Sequence, residues 1–230
     1  MDGGVLALWT GRAQGDQRSL RNGSGPPAPV PEGLQVRCLK QLHGSGVVAV
    51  DAPAVPGLYE SWPTRGGGPL PEGDALVSEG RGSCLVVLSA DCATVALASR
   101  EGVFAAVHAG WRGLVAGVVE RALLSMRSLG ATGVKAGLGP CIHSCCYRFE
   151  APELGLLADR YGHGVRAVTT TGEPALDLPL AVREALARSG AELVVDLDRC
   201  TGCGEGSYSH RVRGDERRQA LLVWTGSVRR

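Results

Sequence analysis

Apolar residues occur in several short runs along the chain, and most of these runs are rich in β-branched side chains. Runs of about four to eight such residues, separated by glycine, proline or polar residues, are typical of buried strands. The pattern predicts strands at residues 34–39, 47–50, 75–77, 84–88, 94–98, 103–107, 193–195 and 220–224.

Two longer segments carry apolar residues at the spacing of an amphipathic helix. The first predicted helix covers residues 113–129 and the second covers residues 177–189. Asp177 is a suitable N-cap for the second helix, and Gly190 is a suitable stop signal. Strand runs that follow one another directly, mixed with strand–helix alternation, favour an α/β (α+β) fold.

We therefore expect a single layered domain over residues 1–230, with mixed β-sheets flanked by helices. No internal repeat or linker composition divides the chain. A polar stretch rich in glycine and proline at residues 11–33 predicts that residues 1–33 are rich in loops. The length is sufficient for one sizeable hydrophobic core.

Charge and composition exclude several functional classes. A net charge of +1 and a pI of about 7.6 give no electrostatic reason to expect nucleic acid or an anionic membrane as a partner. No apolar run reaches the roughly 18 residues of a membrane span, and the first residues lack a basic signal-peptide start. We expect a cytoplasmic protein whose eight cysteines are reduced, because a chain of this length needs no disulfides for stability.

Three residues stand where chemistry is plausible. His43 lies in a glycine-flanked turn after a strand, Cys92 follows an acidic residue at a strand boundary, and His108 comes after a strand and before a glycine-rich corner. Their separations are too long for a zinc finger but are compatible with a catalytic zinc site, in which three ligands from separate elements leave one position open. A hydrogen-bonded structural histidine is the plainer interpretation, and spacing alone does not exclude it.

Several short motifs occur in a fixed order along the chain. They are Gln41-Leu42-His43-Gly44, Ala90-Asp91-Cys92, His108-Ala109-Gly110-Trp111-Arg112-Gly113, Gly139-Pro140-Cys141-Ile142, Cys200-Thr201, Tyr208-Ser209-His210-Arg211 and Arg218-Gln219. Together they resemble the bacterial laccase-domain family, also called the multicopper polyphenol oxidoreductase or purine nucleoside phosphorylase family, which includes peptidoglycan-editing factors. The resemblance runs from about residue 34 to 225.

The resemblance implies a zinc site with His43, Cys92 and His108 as its ligands. Copper is the less favoured metal. It also implies an enzyme that binds purine nucleosides and phosphate: phosphorolysis of adenosine, inosine, guanosine and methylthioadenosine, and hydrolytic deamination of adenosine.

Roles for the neighbouring residues follow as hypotheses. Asp91 adjoins the ligand cysteine and would support the metal site or carry a proton, although a turn-capping carboxylate is an equal alternative. Arg112 is the preferred contact for phosphate, against a structural ion pair with a carboxylate. Trp111 would stack on a purine, against packing in the core.

Three further residues are candidates for substrate binding. Cys141 belongs to the Gly-Pro motif and would line the pocket, and Arg211 follows the C-terminal Tyr-Ser motif. Arg12 matches the only part of the family's usual opening that is present, because the longer N-terminal motifs with asparagine are absent. Cys145 and Cys203 are interpreted as variable positions, since one CxxC pair in a glycine-rich loop is weak evidence for a second metal and the family pattern does not require one.

Two rival functions come from other classes. A copper-dependent polyphenol oxidase needs many histidine ligands, and five histidines in the whole chain make that reading implausible. A peptidoglycan-editing factor would use Cys92 as a nucleophile paired with His108, or would have no catalytic activity. A Cys–His pair and a metal site use the same residues, so the sequence leaves this alternative open. It also leaves open the oligomeric state and the preferred nucleoside.

Overall fold

A computed structural model describes residues 4–21, 30–62 and 69–226. Its helices are α1 (Trp111–Ala116), α2 (Val118–Ser128), α3 (Ala151–Tyr161), α4 (Leu178–Arg188) and α5 (His210–Arg213). Its strands are β1 (Val5–Trp9), β2 (Gln35–Cys38), β3 (Val47–Val50), β4 (Glu60–Ser61), β5 (Ala75–Ser78), β6 (Ser83–Ser89), β7 (Ala93–Ala98), β8 (Phe104–Ala109), β9 (Lys135–Leu138), β10 (Arg166–Val168), β11 (Pro174–Leu176), β12 (Glu192–Asp196) and β13 (Gln219–Thr225).

Two mixed sheets pack face to face. Over the described ranges, one sheet has the order β12-β9-β7-β8-β5-β3-β4, the other has the order β1-β13-β6-β2, and β10 and β11 form a small antiparallel pair. Leu76, Phe104, Leu85 and Leu221 belong to an apolar cluster that fills the space between the two large sheets. Helices α1 to α4 cover the opposite face of the longer sheet through a second apolar cluster. This arrangement confirms the predicted layered α/β class with mixed sheets flanked by helices.

Burial on both faces explains why the strands were visible as continuous apolar runs. Every residue of β3, β5, β6, β7 and β8 is buried. The eight predicted strands are all present, with ends that differ by at most a few residues. The predicted second helix is also confirmed as α4, and the Asp177 side chain caps it by accepting a hydrogen bond from the Leu180 amide.

The predicted helix over residues 113–129 is present, but it is divided into two helices at Gly117. Gly117 has a φ of 82°, and this left-handed conformation ends α1 and separates it from α2. The sequence analysis also gave no element to α3, although Leu154, Leu157 and Tyr161 recur there at helical spacing.

The loop-rich start was only partly described. Residues 22–29 of the predicted loop lie outside the described residues. The described part contains β1, which pairs with β13, and two short 3-10 helices at Arg12–Gln14 and Gln17–Arg21. No described helix is long and apolar enough to cross a membrane.

Candidate active site

His43, Cys92 and His108 meet at one edge of the longer sheet. In the antiparallel β7–β8 pair, Ala93 lies opposite Ala109, which places Cys92 across from Gly110 and beside His108. His43 reaches the same point from the loop between β2 and β3. One ligand atom from each of the three residues lies within 4.8 Å of the others. The two imidazole rings are 4.9 Å apart, edge to face.

Gly110 leaves the space in which this cluster forms. A Cβ atom at position 110 would lie 3.0 Å from the Cys92 sulfur and 3.3 Å from Cδ2 of His43. The glycine in the His-Ala-Gly-Trp motif is therefore required by the close approach of two candidate ligands.

Asp74 organises two of the three candidate ligands. Its carboxylate is fully buried, and one of its oxygens lies 2.9 Å from Nδ1 of His108. The same carboxylate accepts hydrogen bonds from the backbone amides of Leu42, His43 and Gly44, at 3.2, 2.9 and 2.7 Å. An ionised carboxylate only accepts hydrogen bonds, so Nδ1 of His108 carries the proton and Nε2 is left for the thiolate or a metal.

The ionisable groups of the cluster stabilise one another's charged forms. Burial raises the pKa of the Cys92 thiol, but the two imidazoles outweigh it and the net pKa is lowered. Burial lowers the pKa of His108, but the Cys92 thiolate and Asp74 outweigh it and the net pKa is raised. Burial also raises the pKa of Asp74, and the contacts with His108 and the turn amides bring it below its usual value. The contacts within the cluster therefore favour the thiolate form of Cys92.

Asp91 joins the cluster to the C-terminal part of the chain. One of its oxygens accepts a 2.6 Å hydrogen bond from the Thr201 hydroxyl, and the other accepts a 2.7 Å bond from the Arg211 amide. Its φ of 104° is unusual for a residue with a side chain, so the surrounding contacts hold a strained backbone here. Through these hydrogen bonds Asp91 connects its own turn to two segments far along the chain, so it does more than cap that turn.

A cavity of about 360 Å³ opens onto the cluster. Four arginines and one carboxylate line it, so its charge favours an anion. Arg21 lies close enough to Arg218 for their charges to repel. The Nε atom of Arg21 is buried and has no hydrogen-bond partner among the described residues. The lining includes His43, Cys92, His108, Asp91, Trp111, Arg112, Tyr147, His210, Arg211, Arg21 and Arg218.

Arg112 and Arg211 lie between this cavity and a neighbouring groove. The guanidinium of Arg112 lies 4.6 Å from the Trp111 ring centroid, and that of Arg211 lies 5.0 Å from the Tyr147 ring centroid. Trp111 and both arginines also line the groove, which has a volume of about 410 Å³. Within the described residues, Arg112 forms no ion pair with a carboxylate. The structural ion pair weighed above for Arg112 is therefore not found.

Two residues predicted to bind substrate lie away from the cavity. Arg12 binds Asp215 through a salt bridge of 2.7 Å, and its guanidinium lies 5.1 Å from the Tyr208 ring centroid. Cys141 is only 1% exposed and packs in the core, where its backbone bridges to Cys200. The structure brings the other predicted site residues together and leaves these two outside.

The sequence analysis missed residues that complete the site. Asp74 gave a usable signal, since a carboxylate immediately before a fully buried strand needs a buried partner. Arg21 and Tyr147 gave no local signal, because only the tertiary fold brings them to the cavity, and His210 stood in one of the family motifs without being assigned a role. The structure also brings together the sulfurs of Cys145, Cys146, Cys200 and Cys203, which form a second group with metal-ligand spacing.

Comparison with known proteins points to one family. The family described as "Multi-copper polyphenol oxidoreductase laccase" matches residues 30–226. A Streptomyces coelicolor protein named purine nucleoside phosphorylase is 38% identical over 190 residues, which cover 81% of this chain and 73% of that protein. A Mycobacterium tuberculosis protein with the same name is 36% identical over 199 residues, covering 84% of this chain and 73% of the relative.

Solved structures agree in fold. A Neisseria meningitidis protein of the DUF152 family superposes with a TM-score of 0.75 at 27% identity, over 97% of this chain and 95% of that chain. YlmD from Geobacillus stearothermophilus superposes with a TM-score of 0.68 at 25% identity, over 84% and 74% of the two chains. The family match over residues 30–226 and the relatives above establish that the chain belongs to the multi-copper polyphenol oxidoreductase laccase family.

Proposed function

We propose that this protein is a zinc-dependent purine nucleoside enzyme that carries out phosphorolysis and deaminates adenosine. The observation that carries the proposal is the cavity in which a His–Cys–His donor set and four arginines line the same walls. The names of the relatives support the phosphorylase activity. Adenosine, inosine, guanosine and methylthioadenosine are the proposed substrates.

The donor set fits zinc. Two imidazole nitrogens and one thiolate sulfur are common zinc ligands, and Asp74 fixes His108 in the tautomer that offers Nε2. His43, Cys92 and His108 would hold the ion. Zinc with an open fourth position acts as a Lewis acid and lowers the pKa of a water that it binds.

For phosphorolysis, the arginines bind and orient the phosphate dianion. A phosphate oxygen forms a bond to C1′ of the sugar while the bond from C1′ to the purine nitrogen breaks, giving ribose 1-phosphate and the free base after a proton reaches that nitrogen. Arg112 is the preferred phosphate contact because it lines the cavity without a carboxylate partner among the described residues. Trp111 and Tyr147 offer aromatic surface for the purine.

For deamination, water adds to C6 of adenine and ammonia leaves, giving inosine. The chain supplies groups that hold or move protons beside the cluster. Asp91 and His210 both line the cavity, and Asp91 also adjoins the ligand Cys92. Asp91 also has a second proposed role: it positions Arg211, because it accepts a hydrogen bond from the Arg211 amide.

One incubation tests the proposal. Zinc-loaded protein is mixed with adenosine, with and without phosphate, and products are separated by chromatography. Inosine without phosphate supports deamination, and free adenine with ribose 1-phosphate supports phosphorolysis. The absence of both sets of products from fully zinc-loaded protein would refute the assignment.

A peptidoglycan-editing hydrolase is the second candidate. The contact of the Cys92 thiol with His108, itself oriented by Asp74, is the arrangement of a nucleophile, a base and an orienting carboxylate. Metal analysis of protein purified without added metal separates the two. Loss of one equivalent of zinc in Cys92→Ala favours the nucleoside enzyme, and a Cys92 thiol that holds no metal and alkylates rapidly favours the hydrolase.

A further inference from the structure

Four cysteines that the proposed reaction does not use meet beside the cavity wall. Cys145 and Cys146 end the 3-10 helix Ser144–Cys146, and Cys200 and Cys203 flank a tight turn. The Cys145 sulfur lies 3.7, 3.7 and 3.2 Å from the sulfurs of Cys146, Cys200 and Cys203. Cys146 and Cys203 are 3.4 Å apart, and all four sulfurs lie within 4.8 Å of one another.

These separations match a shared metal ion. A zinc–sulfur bond is about 2.3 Å, so two thiolates on a tetrahedral zinc lie about 3.8 Å apart. A disulfide would instead bring two sulfurs to about 2.05 Å. All four cysteines are free thiols at the longer spacing, which is what one ion at their centre requires.

The backbone around the group is arranged for close approach of sulfur. The His143 amide donates a hydrogen bond of 3.4 Å to the Cys200 sulfur, a contact that favours a thiolate. A Cβ atom at Gly202 would lie 2.8 Å from Cβ of Cys146 and 2.9 Å from its sulfur. Glycine between the two cysteines of the turn therefore lets the two ligand pairs meet.

We infer that Cys145, Cys146, Cys200 and Cys203 form a structural zinc site, separate from the His43, Cys92 and His108 cluster. Four thiolates complete a tetrahedral zinc and leave no position for water or substrate, as is typical of structural sites. A set of four soft sulfur ligands also selects zinc over magnesium or calcium. Cys203 is exposed, so an ion reaches the site from solvent.

The site would hold one wall of the catalytic cavity. Tyr147, which follows Cys146, lines the cavity, and Thr201, which follows Cys200, donates the hydrogen bond to Asp91. The carbonyls of Thr201 and Gly202 accept hydrogen bonds from the Arg213 guanidinium, on the same short helix as Arg211. One ion would thus join the two loops that position Tyr147, Asp91 and Arg211.

Metal counting on variants tests the inference. We expect two zinc ions per wild-type chain by plasma mass spectrometry, one in Cys203→Ser and one in His43→Ala. In His43→Ala protein loaded with cobalt, the near-ultraviolet sulfur-to-cobalt absorption and the visible d–d bands of tetrahedral cobalt should both persist. Adding Cys203→Ser to His43→Ala should remove it. Cys38→Ala, a cysteine outside both groups, is the matched control and should keep two ions.

A second measurement needs no variant. Wild-type protein, with and without removal of metal by a chelator, is alkylated briefly and mapped by peptide mass spectrometry. Protection of all four cysteines that disappears on chelation supports the site. One ion per chain with these four thiols equally reactive in both samples overturns it, and so does a disulfide among them in protein purified under reducing conditions. Neither measurement depends on the proposed reaction, so either idea can fail alone.

Discussion

Cys92 and His108 stand at the neighbouring ends of β7 and β8 and are joined by His43 from a loop, whereas the four-cysteine group stands on a short 3-10 helix and a turn. In the first site, Asp74 holds the ligand His108 and the loop that carries His43, and a cavity connects the cluster to solvent. In the second, the ligands are four sulfurs from two loop segments. Rigid strands suit an open site where ligand geometry must be fixed before the ion binds. Loops suit a closed site where the ion itself fixes the geometry.

Removal of a ligand from the strand-based cluster should have the largest effect on activity. Cys92→Ala leaves two histidines, which are too few for a stable zinc site. We expect both zinc-dependent reactions to fall to background, with a smaller fall in melting temperature than in variants of the four-cysteine group, because three ligands hold an ion less tightly than four. Matched assays and calorimetry on Cys92→Ala and Cys38→Ala check this. Full activity in Cys92→Ala would contradict the assignment of the His43, Cys92 and His108 cluster as the catalytic site.

Removal of a ligand from the loop-based group should have the largest effect on stability. Metal binding to a site that does not exist in the unfolded chain contributes directly to folding. A loss of a few kcal/mol in a domain of this size corresponds to on the order of 10 °C in melting temperature. We expect that fall in Cys203→Ser, and also when a chelator is added to His43→Ala. In Cys203→Ser protein, a chelator should lower the melting temperature only a little further. A fall as large as the one that the chelator causes in His43→Ala would contradict the expected difference in stability between the two sites.

Asp74→Asn should weaken metal binding in the cluster without abolishing it. The amide keeps the size of the side chain but loses the charge that orients His108 and holds the turn amides. Loss of such a supporting contact costs about 10–100-fold in metal affinity. Competition with a zinc chelator measures the change at the cluster. Zinc at the four cysteines should be unaffected, and this provides the internal control.

Arg112→Met should raise the KM for phosphate by about 10–100-fold, because a charge-assisted hydrogen bond contributes about 1.5–3 kcal/mol. The expected change in zinc content is nil. Arg166→Met, an exposed arginine on β10, is the matched control. An unchanged KM for phosphate in Arg112→Met would transfer the phosphate role to the other arginines of the cavity.

Asp215→Asn should have the smallest effect, and one that depends on pH. Hydrogen bonds from Ser209 and the Arg12 and Arg213 guanidiniums outweigh burial and lower the pKa of Asp215 from 3.8 to about 2. The carboxylate therefore stabilises the folded state fully above pH 4 or so, and this contribution disappears as the pH falls through about 2. Urea unfolding should show a difference between wild type and variant at pH 6 that is smaller at pH 3. A difference that grows on acidification would contradict the assignment.

Eight of the thirteen described strands and α4 were predictable because each leaves a local mark, and the three cluster residues were predicted through the motifs that resemble the family. Continuous apolar runs reveal strands buried on both faces, and Asp177 marks the start of its helix. Gly117 was not recognised as a break, because an isolated glycine is often tolerated within a helix. The arginines that line the cavity come together through contacts between residues far apart in the chain, and so do Cys145 and Cys203. No local sequence pattern records such contacts.

Gly110 gives a rule for interpreting other sequences of this family. A methyl group at position 110 would lie 3.0 Å from the Cys92 sulfur and 3.3 Å from Cδ2 of His43, so both candidate ligands would have to shift by a few tenths of an ångström. In a relative that keeps both histidines and the cysteine but has alanine at this position, we expect weaker zinc binding. Position 110 should therefore be compared together with the three ligands.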